Sequence, residues 1–135
     1  MNSSQAGNVA VAAVLAELVG RGEQVLIPFG DAQRYDLVTL NNNGSFTRIQ
    51  VKKGRLSRNK TVIRFRTCSQ SRNCPRKSYK NDAEMFAVHV ADLGKIYFIP
   101  VTDAPETDCQ LRLTPPKNGQ RDGIRWAEDY ENLGL

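Results

Sequence analysis

Hydrophobic and polar residues alternate along the chain in a way that predicts one helix followed by several short strands. Between residues 6 and 20, apolar side chains recur at helical spacing on a single stripe: Val11, Val14, Leu15 and Leu18. The stripe predicts a helix over Ala6–Gly20. Ser4 or Asn8 is suited to cap its start, because both side chains accept hydrogen bonds from the first free backbone N–H groups.

Short apolar or alternating runs after the helix predict strands. They are Gln24–Phe29, Arg34–Leu40, Ser45–Lys53, Lys60–Thr67, Met85–Val90, Lys95–Val101 and Gln110–Leu113. The polar segment Thr67–Asn81 lacks a clear period and predicts a loop with a short helical turn, and Trp126–Tyr130 predicts a short terminal helix. The order of elements predicts an α+β fold, with the helix packed on a mixed sheet in one domain over residues 1–135.

The register of one predicted hairpin brings three polar side chains together. Asn41–Gly44 is a strong turn signal, because Asn and Gly accept positive φ. With the turn centred near Asn43, Asp36 lies opposite Gln50, and Gln50 shares a strand face with Lys52. A carboxylate and an amide oxygen can hold Mg²⁺, and a nearby lysine can orient a water for phosphodiester hydrolysis. These residues form a candidate hydrolytic site.

A resemblance to a known nuclease superfamily rests on two segments of this hairpin. Tyr35-Asp36-Leu37-Val38 and Ile49-Gln50-Val51-Lys52 resemble the PD-(D/E)XK motif, with glutamine at the second acidic position. Five stretches resemble the branch encoded by bacterial group I introns of cyanobacterial type: residues 7–22, 27–31, 66–69, 115–118 and 124–130. The resemblance implies a restriction-endonuclease-like core and a Mg²⁺-dependent homing endonuclease that cuts double-stranded DNA at a specific site.

The first helix departs from that family at one position. The family commonly carries a Gly-x-x-Gly-Glu pattern there, and the matching run is Gly7-Asn8-Val9-Ala10-Val11. Val11 therefore stands at a position that the resemblance assigns to a catalytic glutamate. Glu17 lies about 240° further around the helix and does not replace it. Val11 either completes the apolar stripe or replaces a metal or water ligand, which would impair cleavage.

Basic residues are concentrated in one segment without acids. Residues 37–81 hold 12 of the 19 Lys and Arg residues and none of the 14 Asp and Glu residues, in a chain of net charge +5. Such a one-signed surface predicts a polyanionic partner. We expect a basic ribbon that enters the DNA major groove. The sequence does not distinguish the residues that contact bases from those that contact phosphates. The predicted DNA contacts are Arg48, Lys53, Arg55, Arg58, Lys60, Arg64, Arg66, Arg72, Arg76, Lys77 and Lys80.

The cysteine spacing argues against a zinc site, and the hydrophobic pattern argues against a membrane or secreted protein. The three cysteines, Cys68, Cys74 and Cys109, lack the paired spacing of a zinc site, and we interpret them as packing residues or surface thiols. Tyr79 either contacts DNA or packs in the core. The chain has no apolar run long enough for a membrane span and no signal-peptide pattern at its start. We therefore expect a cytoplasmic protein, associated with the nucleoid when bound to DNA.

Three functional hypotheses follow from these observations. The leading one is a homing-type endonuclease. Since cutting both strands needs two hydrolytic centres, it predicts a homo-oligomer, either a dimer or a tetramer. The second is a DNA-binding protein that does not cut, which Val11 favours. The third is a junction-specific nuclease of the same superfamily. RNA is an alternative partner, because a basic surface alone does not distinguish RNA from DNA.

Overall fold

The computed structural model describes residues 1–71 and 74–134. In this part of the chain, one α-helix precedes ten strands and three short 3-10 helices. The elements are α1 Ser3–Gly20, β1 Gln24–Leu26, β2 Leu37–Leu40, β3 Phe46–Lys53, β4 Arg55–Leu56, β5 Val62–Arg66, β6 Cys68–Ser71, β7 Cys74–Ser78, β8 Met85–Val90, β9 Lys95–Pro100 and β10 Asp108–Arg112, with 3-10 helices at Ala91–Leu93, Val101–Asp103 and Ala127–Tyr130.

Five of the strands form a mixed sheet in the order β1-β2-β3-β8-β9. Strand β3 pairs antiparallel with β2 and parallel with β8, and β8 pairs antiparallel with β9. A second sheet is antiparallel and has the order β10-β5-β4. The central strand β3, which carries the predicted site residues Gln50 and Lys52, is thus bordered on both sides by other strands.

The five-stranded sheet is covered on both faces. On one face, Val14 and Leu18 of α1 are fully buried against Ile49 of β3. On the other face, the three-stranded sheet packs through residues such as Phe65, whose ring meets Phe86 of β8 edge-on at 5.7 Å. The predicted α+β class, a helix packed on a mixed sheet, is confirmed. None of the helices in the described ranges has the length and apolar character needed to cross a membrane.

The start of the helix differs from the prediction. It begins three residues earlier than expected, and its cap is Asn2 rather than Ser4 or Asn8. The Asn2 side chain accepts a hydrogen bond from the Gln5 N–H, and the Gln5 side chain accepts one from the Asn2 N–H, each at 2.9 Å. This reciprocal pair satisfies free N–H groups at the terminus and extends the helix beyond its apolar stripe.

The segment predicted as a loop contains strands β6 and β7, so that prediction is wrong. The two strands pair antiparallel, with Cys68 opposite Ser78 and Ser69 opposite Lys77. Residues 75–78 of β7 are all exposed. Because these four residues bury no alternating apolar face, their sequence lacks the period that marks a strand. The other predicted strands are present, with ends that differ by up to three residues, and the terminal helix is present as a 3-10 turn.

Candidate active site and nucleic-acid interface

The hairpin β2–β3 has the predicted register. Leu37 lies opposite Ile49, which is the register that sets Asp36 opposite Gln50. Along β3, Ile49 and Val51 are buried on the helix side, whereas Gln50 and Lys52 are half-buried on the other face. The alternation along the strand therefore presents the amide and the ammonium group on one side.

Asp36 lies at the entrance of this hairpin, one residue before β2. Its backbone N–H donates to the carbonyl of Ile49 at 2.8 Å, which continues the β2–β3 ladder. Its side-chain Oδ2 accepts a hydrogen bond from the Val51 N–H, also at 2.8 Å. The side chain thus satisfies a β3 donor that β2 does not reach, and this contact holds the carboxylate beside Gln50 and Lys52.

The Asp36 carboxylate is half-buried, and burial raises its pKa above the ordinary value. The hydrogen bond from the Val51 N–H and the positive charge of Lys52 act in the opposite direction and are smaller effects. An incompletely solvated carboxylate gains more from a cation than a fully hydrated one, because it has lost part of its favourable interaction with water. The electrostatics of this position favour cation binding.

The oxygen atoms around Asp36 match the preference of a hard divalent cation. The Gln50 amide lies beside the backbone carbonyl of Val51, with 3.4 Å between Nε2 and that oxygen. A carboxylate, an amide and a carbonyl oxygen suit Mg²⁺, which keeps several of its own waters. Among the described residues, no cluster of three or more His, Cys, Asp or Glu side chains is placed to hold a metal. The Val51 carbonyl has no signal in the sequence, because it is a backbone atom.

Val11 is half-buried on α1 and packs against the helix-side core with Val14 and Leu18. The apolar interpretation of this residue therefore agrees with its surroundings. Glu17 lies further along the helix and pairs with Arg21, with 3.5 Å between the charged atoms. It is engaged away from the hairpin, as its angular position predicted. Asp36 is the carboxylate bound to the backbone N–H of Val51, between Gln50 and Lys52 on β3.

Lys52 contacts a tyrosine from the acid-free segment. Its Nζ lies 3.2 Å from the Tyr79 hydroxyl and 4.5 Å from the centre of the Tyr79 ring. Tyr79 is 5% exposed and packs edge-on against Phe86 at 5.7 Å. Of its two predicted roles, packing is therefore confirmed. Lys52 and Tyr79 are 27 residues apart, so their contact could not be predicted from the sequence.

A groove of about 960 Å³ opens next to Lys52. Its apolar wall includes Ala6 and Val9 from the first half of α1. Four basic side chains line the other walls and favour anions, Lys52, Lys53, Arg55 and Arg66. His89 and the acidic Asp92 lie beside them. The groove therefore places Lys52, one of the predicted hydrolytic residues, next to part of the predicted DNA-binding set.

The outer face of the three-stranded sheet presents exposed arginines. Arg64 and Arg66 alternate with the buried Phe65 on β5, as the sequence predicted. Gln110 pairs with Arg64 across the strands and, with its amide oxygen turned inward, accepts two hydrogen bonds from the guanidinium at 2.8 and 3.0 Å. Asp108 lies 3.8 Å from Arg66. The Arg64 guanidinium is thus held in a defined orientation while its side chain stays exposed.

The other predicted DNA contacts lie in different surroundings. Arg48 is bound to Glu84, the residue before β8, at 3.0 Å from Nε to Oε2, so it has a protein partner. Lys80 is paired with Glu106 at 3.5 Å. Arg72 lies outside the described residues. The remaining predicted contacts are exposed: Lys53, Arg55, Arg58, Lys60, Arg76 and Lys77.

Comparison with known proteins defines the class to which this arrangement belongs. Residues 1–133 match the family model described as PD-(D/E)XK endonuclease. The chain therefore belongs to the PD-(D/E)XK endonuclease family, a class of nucleases, and the resemblance seen in Asp36, Gln50 and Lys52 is confirmed at that level. The fold is similar to that of a solved bacterial homing endonuclease, I-Ssp6803I, with a TM-score of 0.76. The two sequences are 24% identical, and the match covers 96% of this chain and 88% of the other. No curated protein matches.

Proposed function

We propose that this chain is a Mg²⁺-dependent endonuclease of homing type that cuts double-stranded DNA at a specific site and is encoded in a group I intron. One observation carries the hydrolytic part of the proposal. The hydrogen bond between Asp36 and the Val51 N–H joins the carboxylate to the strand that presents Gln50 and Lys52. Lys52 also lines a basic groove, which supplies a path for a phosphate backbone.

The residues divide into two roles in the proposed reaction. Asp36 and Gln50, together with the Val51 carbonyl, would hold Mg²⁺. When bound, the ion offsets charge that builds on the scissile phosphate and lowers the pKa of a coordinated water. Lys52 lies on the same strand face as Gln50 and would orient the attacking water or stabilise the phosphate oxygens. The half-buried setting strengthens each of these electrostatic contributions relative to bulk water.

Sequence preference in this proposal comes from the exposed face of the three-stranded sheet. An arginine reads guanine through two parallel hydrogen bonds, to O6 and N7, so it needs a fixed guanidinium plane. Arg64 meets that requirement, because Gln110 holds its guanidinium from one side. Exposed basic residues elsewhere, such as Arg58 and Lys77, would contact phosphates and position the duplex.

A homo-oligomer, either a dimer or a tetramer, completes the proposal because two strands need two cutting centres. Exposed apolar side chains near the edge strand β1 support self-association. Val19 is 57% exposed, Ile27 67% and Phe29 99%. Exposed apolar groups of this size are typical of interaction surfaces when they lie close together. Light scattering at several protein concentrations would give the mass of the assembly.

A second candidate function is sequence-specific DNA binding without cleavage. The observation that favours it is Val11, which packs as an ordinary core residue where the family resemblance expects a glutamate. In this case the basic groove and the Arg64 face would still bind duplex DNA. The two functions differ in one measurable property, since only the first cleaves the DNA.

The experiment that separates these functions is DNA cleavage by the chain and by its Val11→Glu variant, with Mg²⁺ or with a chelator. We expect metal-dependent cuts at one or a few positions in large genomic DNA, with the variant at least as active as the parent. Tight, salt-sensitive duplex binding without cuts by either protein would reject the nuclease and retain the binding protein. Cuts confined to four-way junctions would instead reject sequence specificity.

A further inference from the structure

We infer that Tyr79 and Arg34 form a positioning unit that fixes the Lys52 ammonium group at the hydrolytic site. The inference rests on the proposed nuclease function and adds two residues that neither the sequence motif nor the family match assigns. Tyr79 contacts Lys52 in two ways, through its hydroxyl at 3.2 Å and through its ring at 4.5 Å. A lysine side chain has several freely rotating bonds, so a fixed partner is needed to hold its charge in one place.

The Tyr79 ring is itself immobilised by the core. It is 5% exposed and packs edge-on against Phe86, which lies opposite Gln50 on the neighbouring strand β8. A buried tyrosine of this kind anchors its hydroxyl with little freedom to reorient. The sheet therefore fixes Tyr79, and Tyr79 gives the Lys52 ammonium group a contact at a fixed position.

Arg34 holds Tyr79 from a second direction. Its guanidinium carbon lies 4.1 Å from the centre of the Tyr79 ring, within the range of a cation–π contact. The same guanidinium donates to the backbone carbonyls of Ser78 at 2.6 Å and Lys77 at 3.1 Å, and it is paired with Asp82. Arg34 thus attaches the residues before and after Tyr79 in the chain to the segment that leads into the hairpin.

The contacts form one continuous path from the hairpin strand β7 to the candidate site. Arg34 also donates to the Ser69 hydroxyl of β6 at 2.6 Å, so both strands of that hairpin are attached to it. Asp36 lies two residues after Arg34 in the chain. At the other end of the path, Tyr79 contacts Lys52. The Arg34 side chain is only 19% exposed, and its charge-assisted hydrogen bonds hold the guanidinium in one orientation.

The test compares Tyr79→Phe with Tyr130→Phe in the most active cleaving background. Each variant removes one phenolic hydroxyl from a tyrosine at the same core cluster, but only Tyr79 touches Lys52. We expect Tyr79→Phe to lower the single-turnover cleavage rate about tenfold, the scale of one hydrogen bond to a charged group. The DNA dissociation constant should stay within about twofold, because the change affects the reacting centre and not affinity. Tyr130→Phe should leave both values unchanged.

A spectroscopic measurement keeps this inference separate from the proposed function. In NMR spectra of lysine-labelled protein, the Lys52 Hε signals should be shifted by the Tyr79 ring, and Tyr79→Leu should abolish the shift. Cleavage by Tyr79→Phe at the parent rate, or an unshifted Lys52 signal in the parent, would overturn the inference. If no background cuts DNA while the shift is present, the nuclease proposal fails and the contact stands.

Discussion

Gly54 is the position at which the smallest possible substitution should have a large effect. It follows β3 and precedes β4, where the chain crosses from the five-stranded sheet to the three-stranded one. A Cβ at this position would lie 2.8 Å from Val88 Cγ1, 2.9 Å from Val90 Cγ2 and 3.1 Å from Ile63 Cγ2. All three side chains are fully buried, so they cannot move into solvent.

The magnitude for Gly54→Ala follows from this geometry. Ordinary carbon contacts are about 3.5–4.0 Å, so the neighbours must retreat by roughly half an ångström in a closely packed core. Adding a methyl group to such a core costs about 1–3 kcal/mol. The lower entropy of the unfolded alanine chain offsets about 0.4–1 kcal/mol of that cost. We expect a net loss of about 1–2 kcal/mol, which for a chain of 135 residues is about 4–7 °C in Tm.

Scanning calorimetry of Gly54→Ala beside Gly7→Ala tests this reasoning. A Cβ at Gly7, within α1, meets no heavy atom within 4 Å. There the substitution should raise the stability by about 0.5–1 kcal/mol, because alanine favours the helix. Equal Tm values for Gly54→Ala and the parent would refute the packing argument. Gly54 also lies two residues after Lys52, so we expect slower cleavage from the same variant.

Three further predictions concern charge and specificity. Asp36→Asn should abolish cleavage and yet raise the Tm near neutral pH. Burial raises the pKa of the Asp36 carboxyl, so the ionised form destabilises the folded state. The difference in Tm should shrink as the pH falls from this raised pKa toward the unfolded value of about 3.9, and it should be absent below that value. Lys60 adopts a left-handed φ of 59° at an exposed turn. Lys60→Gly should therefore retain the Tm while the salt dependence of DNA binding falls by about one phosphate contact. Gln110→Ala should release Arg64 and broaden the set of sites that are cut, as sequencing of cleavage products would reveal, without changing non-specific affinity. An unchanged site preference would show that Arg64 needs no support.

The features predictable from the sequence are those that depend on local rules. The Asn41–Gly44 turn fixed the register of β2 against β3, so the proximity of Asp36, Gln50 and Lys52 followed from residue numbers. The apolar stripe predicted α1 and its buried face in the same way. The strands β8 and β9 could be recognised because they are apolar throughout, as buried central strands are.

The features that the sequence could not predict depend on contacts between distant residues. Tyr79 reaches Lys52 across 27 residues and Arg34 reaches Ser78 across 44, and no pattern in either segment records these distances. Residues 75–78 of β7 are all exposed, so this part of the strand has no buried apolar period to detect. The ion pair of Arg48 with Glu84, 36 residues away, had no signal in the sequence. The sequence shows which charged residues the chain contains, but not which of them form ion pairs.

The most direct test of the hydrolytic site compares Lys52→Ala with Lys53→Ala in the most active background. The two substitutions remove the same charge from adjacent residues of β3, whose side chains point to opposite faces of the strand. We predict that Lys52→Ala lowers the single-turnover cleavage rate at saturating DNA by at least about 100-fold. Lys53→Ala should change only the DNA concentration that saturation requires. Equal rate losses in the two variants would contradict the account, because Lys52 would then be one more cation in a basic groove.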